Sequence, residues 1–130
     1  MTPDRWAGFT PGQQILTPNR WAGFTPGQQI LMIANEMNRS RKLVGGPDVA
    51  GLRRGYERVL ALVDLTIGCS TDRSLRRELL RWRDLPALLY TDARPAVADH
   101  DRALRVLLTL SPEAYPQIEL LLGRHGTAPD

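Results

Sequence analysis

The feature that most constrains this chain of 130 residues is a tandem repeat near its start. Residues 2–16 read TPDRWAGFTPGQQIL and residues 17–31 read TPNRWAGFTPGQQIL, so the two copies differ only at Asp4 and Asn19. Two nearly identical segments cannot fill the same place in one small domain. The repeat therefore predicts that one copy belongs to the fold and that the other is spare.

Length and composition indicate a single soluble domain, because 130 residues bury a core without needing a disulfide or a metal. The only cysteine, Cys69, has no partner for an internal disulfide and is expected as a small buried residue. Pro, Gly, Gln and Arg interrupt every apolar stretch through residue 29, and no later stretch is long enough to span a bilayer. We therefore expect a cytoplasmic protein without membrane contact, cofactor or metal.

The charge balance gives little reason to expect a nucleic-acid partner. The formal net charge is +3, and of the 17 basic residues only Lys42 is a lysine. Dedicated nucleic-acid binders concentrate more positive charge on one face. We therefore expect binding of nucleic acid to be a less favoured function than contact with another protein.

The second repeat copy predicts the start of the first long helix. Thr25 and Gln28 match a capping box, and Pro26 stands at the first helical position, where no amide bond is lost. Residues at helical spacing then form a stripe that is apolar except for one arginine. These are Ile30, Ile33, Ala34, Met37, Arg41 and Val44. The Gly45–Pro47 segment is expected to end this helix.

The first copy carries the same cap, but Thr17-Pro18 ends its helix after about a turn and a half, because a residue before proline avoids the helical region. Fixing such a segment costs more conformational entropy than burial of Trp6 and Phe9 returns. We therefore predict that Trp21 and Phe24 pack on the core. The arm with Trp6 and Phe9 is expected to be mobile or held by a neighbouring molecule.

The remaining pattern predicts three further main helices and a short one. The second runs from Asp48 to about Gly68, and the third from Asp72 to Tyr90 with a break at Pro86. After a loop over 91–98, the fourth begins near Asp99 and is expected to be central. A short C-terminal helix covers 116–122.

No alternating strand pattern appears in the sequence, which predicts an all-α fold. We expect a bundle of four main helices plus a short C-terminal helix, preceded by a mobile or swapped N-terminal arm. The arm covers residues 1–16, the bundle domain residues 17–123, and a frayed tail residues 124–130.

Asp99, His100 and Asp101, with Asp92 nearby, form a local cluster of the kind that holds a metal or moves protons. A histidine between carboxylates is expected to have a raised pKa. The alternative is that Asp99 or Asp101 caps the fourth helix and that His100 is a solvated residue of its first turn. We favour the alternative, because neighbours on a helix point in different directions.

The spacing of Arg94 and His100, with five residues between them, resembles the Arg-x4-6-His element of HEPN-type ribonucleases. That family is all-helical and of similar size. The resemblance implies that Arg94 and His100 would form the cleavage pair. We keep them as candidate catalytic residues, while the rest of the sequence predicts a protein that is not an enzyme.

Another resemblance concerns the start of the first long helix. Thr25-Pro26 followed by Ile30, Leu31 and Met32 is similar to the beginning of the first helix in flagellar export-chaperone bundles. Those bundles bind an extended helical client, so the resemblance implies a client-binding surface. Packing in the core is the alternative role for these apolar residues.

The third predicted helix carries a basic stripe. Arg73, Arg77 and Arg81 repeat every four residues, which places them on one helical face. Such a stripe binds phosphates or an acidic protein surface. Acidic residues interleave with it, among them Glu78, so a solvated face with internal salt bridges is the alternative.

These features together predict a non-enzymatic helical module that acts through protein contacts. The arm with Trp6 and Phe9 would dock in the groove that Trp21 and Phe24 fill, either on a protein partner or on a second copy of the chain, and exchange of arms would give homodimers. A different explanation is that the duplication is recent or was introduced in the laboratory, in which case it has no selected function. The near-identity of the two copies favours that explanation.

Overall fold

The computed structural model describes residues 17–117. These residues form six α-helices and no strand, which confirms the predicted all-α bundle. The helices are α1 (Pro18–Ala22), α2 (Pro26–Arg41), α3 (Val49–Cys69), α4 (Arg73–Trp82), α5 (Asp84–Thr91) and α6 (Val97–Leu108), and a 3-10 turn follows at Tyr115–Gln117. The predicted arm over 1–16, residues 118–122 of the predicted C-terminal helix and the predicted tail lie outside the described residues.

Helix α2 begins at the predicted capping box. The Thr25 hydroxyl accepts from the Gln28 amide at 3.1 Å, and the Gln28 side chain accepts from the Thr25 amide at 2.9 Å. Both halves of the box are therefore formed. After the end of α2, Gly45 adopts a φ of 82°, a left-handed conformation that favours glycine. The sequence signals at both ends of this helix are confirmed.

A short helix, α1, precedes α2 and was not predicted. Thr17 caps it by accepting from the Arg20 amide at 3.2 Å, and Pro18 occupies the first turn. This Thr-Pro pair repeats the chemistry of Thr25-Pro26, so the sequence did carry a signal for α1. A length of 5 residues is too short for apolar periodicity to reveal a helix.

The core lies around α3, which contacts α1, α2, α4 and α5. Helix α6 contacts α2, α4 and α5, and it buries Leu104, Leu107 and Leu108 completely. The fourth predicted helix is therefore an inner element of the bundle. The most central position, however, belongs to α3, because its 21 residues run past most of the other helices.

The third predicted helix is divided in two by Pro86, as expected. Helix α4 ends at Trp82 and α5 begins at Asp84, with Arg83 between them. Proline has no amide to donate to the carbonyl four residues earlier, so the helix is interrupted there. Trp82 is buried, and its indole Nε1 donates to the carbonyl of Ala103 on α6 at 2.8 Å.

Helix α6 begins two residues before the predicted start at Asp99. Ala96 stands at the N-cap without a side-chain hydrogen bond, and the amides of Asp99 and His100 donate to its carbonyl. The expectation that Asp99 or Asp101 caps this helix is wrong. Asp99 lies in the first turn instead, where its carboxylate complements the helix dipole.

Helices α2 and α3 cross closely at Gly55. A Cβ added at Gly55 would meet the side chain of Ser40, with 3.1 Å to the Ser40 Cβ. The Ser40 hydroxyl is buried, and no hydrogen-bond partner for it exists among the described residues. The close crossing is therefore located at Gly55, whereas Gly51 faces the side chain of its own N-cap, Asp48.

We predict that Gly55→Ala lowers the free energy of unfolding by about 1 to 3 kcal/mol, because the added methyl group overpacks the crossing. Urea unfolding of the full chain measures the change. Gly68→Ala is the control: Gly68 also lies on α3, and a Cβ there meets nothing within 4 Å. It should be neutral or stabilising.

The double variant Ser40→Ala/Gly55→Ala tests the cause of this loss. Ser40→Ala removes a buried hydroxyl without a partner, so alone it should cost little. Together the two changes should cost clearly less than Gly55→Ala alone, because the hydroxyl that crowds the new methyl group is gone. Additive losses would contradict the proposed crossing contact.

Candidate functional site

Trp21 anchors the second repeat copy in the bundle. Its side chain is fully buried, and the indole Nε1 donates to the Thr66 hydroxyl of α3 at 2.9 Å. The Thr66 hydroxyl in turn donates to the Leu62 carbonyl at 2.8 Å. Phe24 packs edge-on against Trp21 with ring centroids 5.9 Å apart, and it is partly buried. The predicted packing of Trp21 and Phe24 on the core is confirmed.

The second half of the copy is held by polar contacts. The buried Gln29 amide donates to the Trp21 carbonyl at 2.8 Å and lies near the Cys69 sulfur. The Thr25 hydroxyl donates to the Glu113 carboxylate at 3.2 Å. We call Thr66, Cys69 and Glu113, which together receive residues 17–31, the repeat seat.

Gly27 shows how closely the repeat seat fits this copy. A Cβ added to Gly27 would overlap the side chain of Glu113, including its Cβ. Glycine at this position of the repeat therefore allows the chain after α6 to lie against the start of α2. Ala114, the residue after Glu113, is fully buried, so this chain segment is part of the core.

His100 is fully buried on α6 and binds to two other helices. Its Nε2 lies 2.8 Å from the carbonyl of Met37, and its Nδ1 lies 2.7 Å from the hydroxyl of Tyr56. A carbonyl only accepts, so in the neutral imidazole Nε2 carries the hydrogen and Nδ1 accepts from Tyr56. The expectation that His100 is a solvated first-turn residue is wrong, because the earlier start of α6 turns it toward α2 and α3.

The Tyr56 phenol is suited to this donor role. Burial, and secondarily the negative charge of Asp92, raises the pKa of Tyr56 well above its usual value. The phenol therefore keeps its proton and donates to His100 at any physiological pH. This pair forms a hydrogen bond inside the core that joins α3 to α6.

The three neighbours Asp99, His100 and Asp101 point to different partners. Asp101 accepts from two nitrogens of Arg41 at 2.7 and 2.8 Å, and this pairing raises the pKa of Arg41 above its usual value. Asp99 lies near Arg102 at 3.5 Å on the exposed side. Among residues 17–117, no three His, Cys, Asp or Glu side chains are placed so that they could hold one metal ion.

The fold does not place Arg94 next to His100. Arg94 is exposed in the segment between α5 and α6, and its amide donates to the Asp92 carboxylate at 2.9 Å. His100 is completely buried. A surface-bound RNA phosphate next to Arg94 would therefore have no access to the imidazole in this conformation.

The basic stripe lies on the outer face of α4. Arg73, Arg77 and Arg81 are exposed, and so is the neighbouring Arg76. Arg81 pairs with Glu78 at 3.3 Å, which gives part of the predicted internal salt bridging. Leu80, 52% exposed, lies on the same outer face. We call these five residues, Arg73, Arg76, Arg77, Leu80 and Arg81, the α4 basic face.

A groove of about 510 Å³ opens where α3 begins and α5 ends. Its apolar side is formed by Val49, Leu52, Leu89 and Pro95, and Gly45 and Gly46 contribute no side chains. Its polar residues are Arg53, Asp92 and Arg94. We call this cavity the α5 groove. No local sequence pattern predicts it, because its walls come from two segments that are distant along the chain, residues 45–53 and 89–95.

No family model, curated protein or solved structure matches this chain. None of the helices between residues 17 and 117 is long and apolar enough to cross a bilayer.

The Tyr56–His100 contact leads to a prediction about the core. Tyr56→Phe removes a hydrogen bond to a buried ring nitrogen, so the free energy of unfolding should fall by about 1 to 3 kcal/mol. Tyr90→Phe is a matched control, because its hydroxyl donates to Glu57 at an exposed site and its loss should stay within about 0.5 kcal/mol. Equal effects in thermal or urea unfolding would contradict the core role of Tyr56.

Proposed function

We propose that the protein is a non-enzymatic interaction module that self-associates when residues 2–9 of one copy take the place of residues 17–24 in another. The supporting observation is the specific set of contacts between residues 17–31 and the repeat seat. Within the exchanged residues 17–24, Trp21 donates to Thr66 and its carbonyl accepts from Gln29, whereas Gly27 and Gln29 themselves stay with α2. Residues 2–9 supply the same Trp and Phe side chains as residues 17–24, which supports the exchange.

The arm matches the second copy at each of these positions. Trp6, Phe9, Gly12 and Gln14 correspond to Trp21, Phe24, Gly27 and Gln29, and the single difference between the copies is Asp4 against Asn19. Asn19 is exposed on α1, so the difference does not touch the repeat seat. The repeat seat therefore has no means of distinguishing the two Trp-Phe segments.

Exchange is limited to the first half of the repeat, because α2 continues beyond it. Ile33, Ala34 and Met37 of α2 are fully buried. The equivalent residues after the arm's own cap are Pro18, Asn19 and Ala22. Pro18 would break the helix, and Asn19 and Ala22 would leave the core unfilled. Residues 2–9 therefore replace residues 17–24, while α2 stays in place.

The energetics make this association weak for the natural chain. Replacing Trp21 with Trp6 exchanges identical contacts, so the net gain is small. The resident copy is tethered next to its site, which gives it an effective concentration in the range of mM. We therefore expect dimers to form at high protein concentration, and reciprocal exchange of both arms to favour them.

A variant without Trp21 tests whether the arm competes with the second repeat copy for the same site. In a chain that lacks residues 2–16, Trp21→Ala should cost about 3 to 5 kcal/mol of unfolding free energy, the usual loss for a buried tryptophan. In the full chain, we expect Trp6 to occupy the vacated site, so the same substitution should cost clearly less. Urea unfolding of both chains measures the difference.

Two controls complete this test. Trp6→Ala/Trp21→Ala in the full chain should lose the recovery, because no anchor remains. Sedimentation at several concentrations distinguishes arm binding between two molecules, which gives a dimer, from binding within one. Deletion of residues 2–16 should leave the monomer fold intact and reduce self-association. Equal destabilisation by Trp21→Ala with and without the arm would refute the proposal.

A second candidate function is binding of an acidic protein surface to the α4 basic face. Its four arginines are countered within α4 by one carboxylate, Glu78. The exposed Leu80 among them favours a polypeptide with acidic and apolar side chains over a phosphate backbone. Nucleic acid is therefore the less favoured partner for this face.

Charge reversal distinguishes these partners. Arg77→Glu/Arg81→Glu should abolish binding to a helical peptide with Glu on one face and Leu in its centre, and Leu80→Ala should weaken that binding about tenfold. Fluorescence anisotropy measures both. Binding to duplex DNA that is tighter, steeply salt-dependent and insensitive to Leu80→Ala would instead indicate a nucleic-acid interface.

A further inference from the structure

We propose that the α5 groove is a binding site for a small amphiphilic monoanion, a molecule with an apolar body and one carboxylate. This inference does not depend on the proposed self-association. The groove combines three properties that such a ligand needs: sufficient volume, an apolar floor and cationic residues at its edge. Each of them follows from described residues.

The volume and the floor suit an apolar body, and polar groups make up about half of the lining. Cavities that take small molecules measure roughly 300 to 1,000 Å³ and have mostly apolar linings with a few polar groups. The α5 groove is about 510 Å³ in volume. Its floor includes Leu52 and Leu89, which are 4% and 6% exposed and therefore belong to the core. A ligand there would continue the packing of the bundle.

Two arginines give the groove its preference for an anion. Arg53 projects from α3, and its guanidinium carbon lies 5.0 Å from the centre of the Tyr90 ring, a contact that orients the side chain. Arg94 stands on the opposite segment, after α5, and it also lines the groove. A carboxylate between these two groups would accept charge-assisted hydrogen bonds from a planar guanidinium.

Asp92 sets the charge that the groove accepts. Two cations and one carboxylate leave a net charge of +1 among the lining residues. Asp92 also accepts from the Arg94 amide, which holds the turn that presents Arg94. A ligand with a single negative charge balances this set, whereas a second negative charge would face the Asp92 carboxylate.

A neighbouring smaller cavity, which Asp99 and Arg102 also line, extends the space beside α5. It measures about 190 Å³ and shares Leu89 and Asp92 with the α5 groove. Leu85, Leu88 and Ala103 contribute its apolar wall. Leu88 is 65% exposed although it is a large apolar residue, and a ligand tail across this side of α5 would cover it. The occupant is therefore expected to be elongated.

The test uses octanoate as the probe on the full chain labelled with nitrogen-15. We expect saturable shifts of the backbone amides of Gly45, Gly46, Leu89 and Arg94 in NMR titrations. Arg53→Gln and Arg94→Gln should each raise the dissociation constant at least fivefold. Ala93→Trp, which places a large side chain at the edge of the groove, should also weaken binding. All three residues are exposed, so the fold should persist.

Three control experiments test whether binding requires both the carboxylate of the ligand and the α5 groove. Arg105→Gln, at an exposed arginine of α6 outside the α5 groove and the α4 basic face, should leave the affinity unchanged. 1-Octanol should bind at least fivefold more weakly, because it lacks the carboxylate. A peptide with an apolar, free carboxyl terminus tests whether the carboxylate comes from a polypeptide, and dependence on the same arginines would support the site. Shifts elsewhere, equal binding of 1-octanol or unchanged affinity in both groove variants would overturn the proposal.

Discussion

The hydrogen bond from the Trp21 indole to Thr66 is the contact on which the packing of the first two helices depends. It fixes α1 against the far end of α3, and the Gln29 amide, bonded to the Trp21 carbonyl, ties α2 to the same point. The capping box at Thr25 then directs α2 along the bundle. A tryptophan in this position stabilises the fold by its buried area and orients it by its single hydrogen-bond donor. The first repeat copy carries the same side chain at Trp6.

The other end of α2 is held by polar contacts of a different kind. His100 links the Met37 carbonyl to the Tyr56 hydroxyl, and the buried Glu36 carboxylate accepts from Arg58 of α3 at 3.0 Å. Buried polar groups require defined partners, because an unpaired one costs more than an apolar residue in its place. These contacts therefore fix how α2, α3 and α6 are aligned along their axes, which apolar packing alone specifies less strictly.

Local signals explain which parts of this architecture could be predicted from the sequence. The capping box at Thr25, the glycine stop at Gly45 and the break before Pro86 are each determined within a few residues, and all three occur as expected. His100 was misplaced because its environment depends on residues 44 and 63 positions away, Tyr56 and Met37. The α5 groove was missed for the same reason. Pairings over such distances leave no local pattern.

The repeat seat and the α5 groove use opposite ends of α3. Leu52 lies on the floor of the groove and Thr66 in the repeat seat, and 14 residues of helix separate them by about 21 Å. The α4 basic face lies on a third side, so the three surfaces share no residue. Occupation of one leaves the others accessible, and substitutions in one are not expected to alter the affinity of another. Energetic coupling between them would need a second packing arrangement of α3, and its fully buried Tyr56, Val59 and Val63 oppose such a shift.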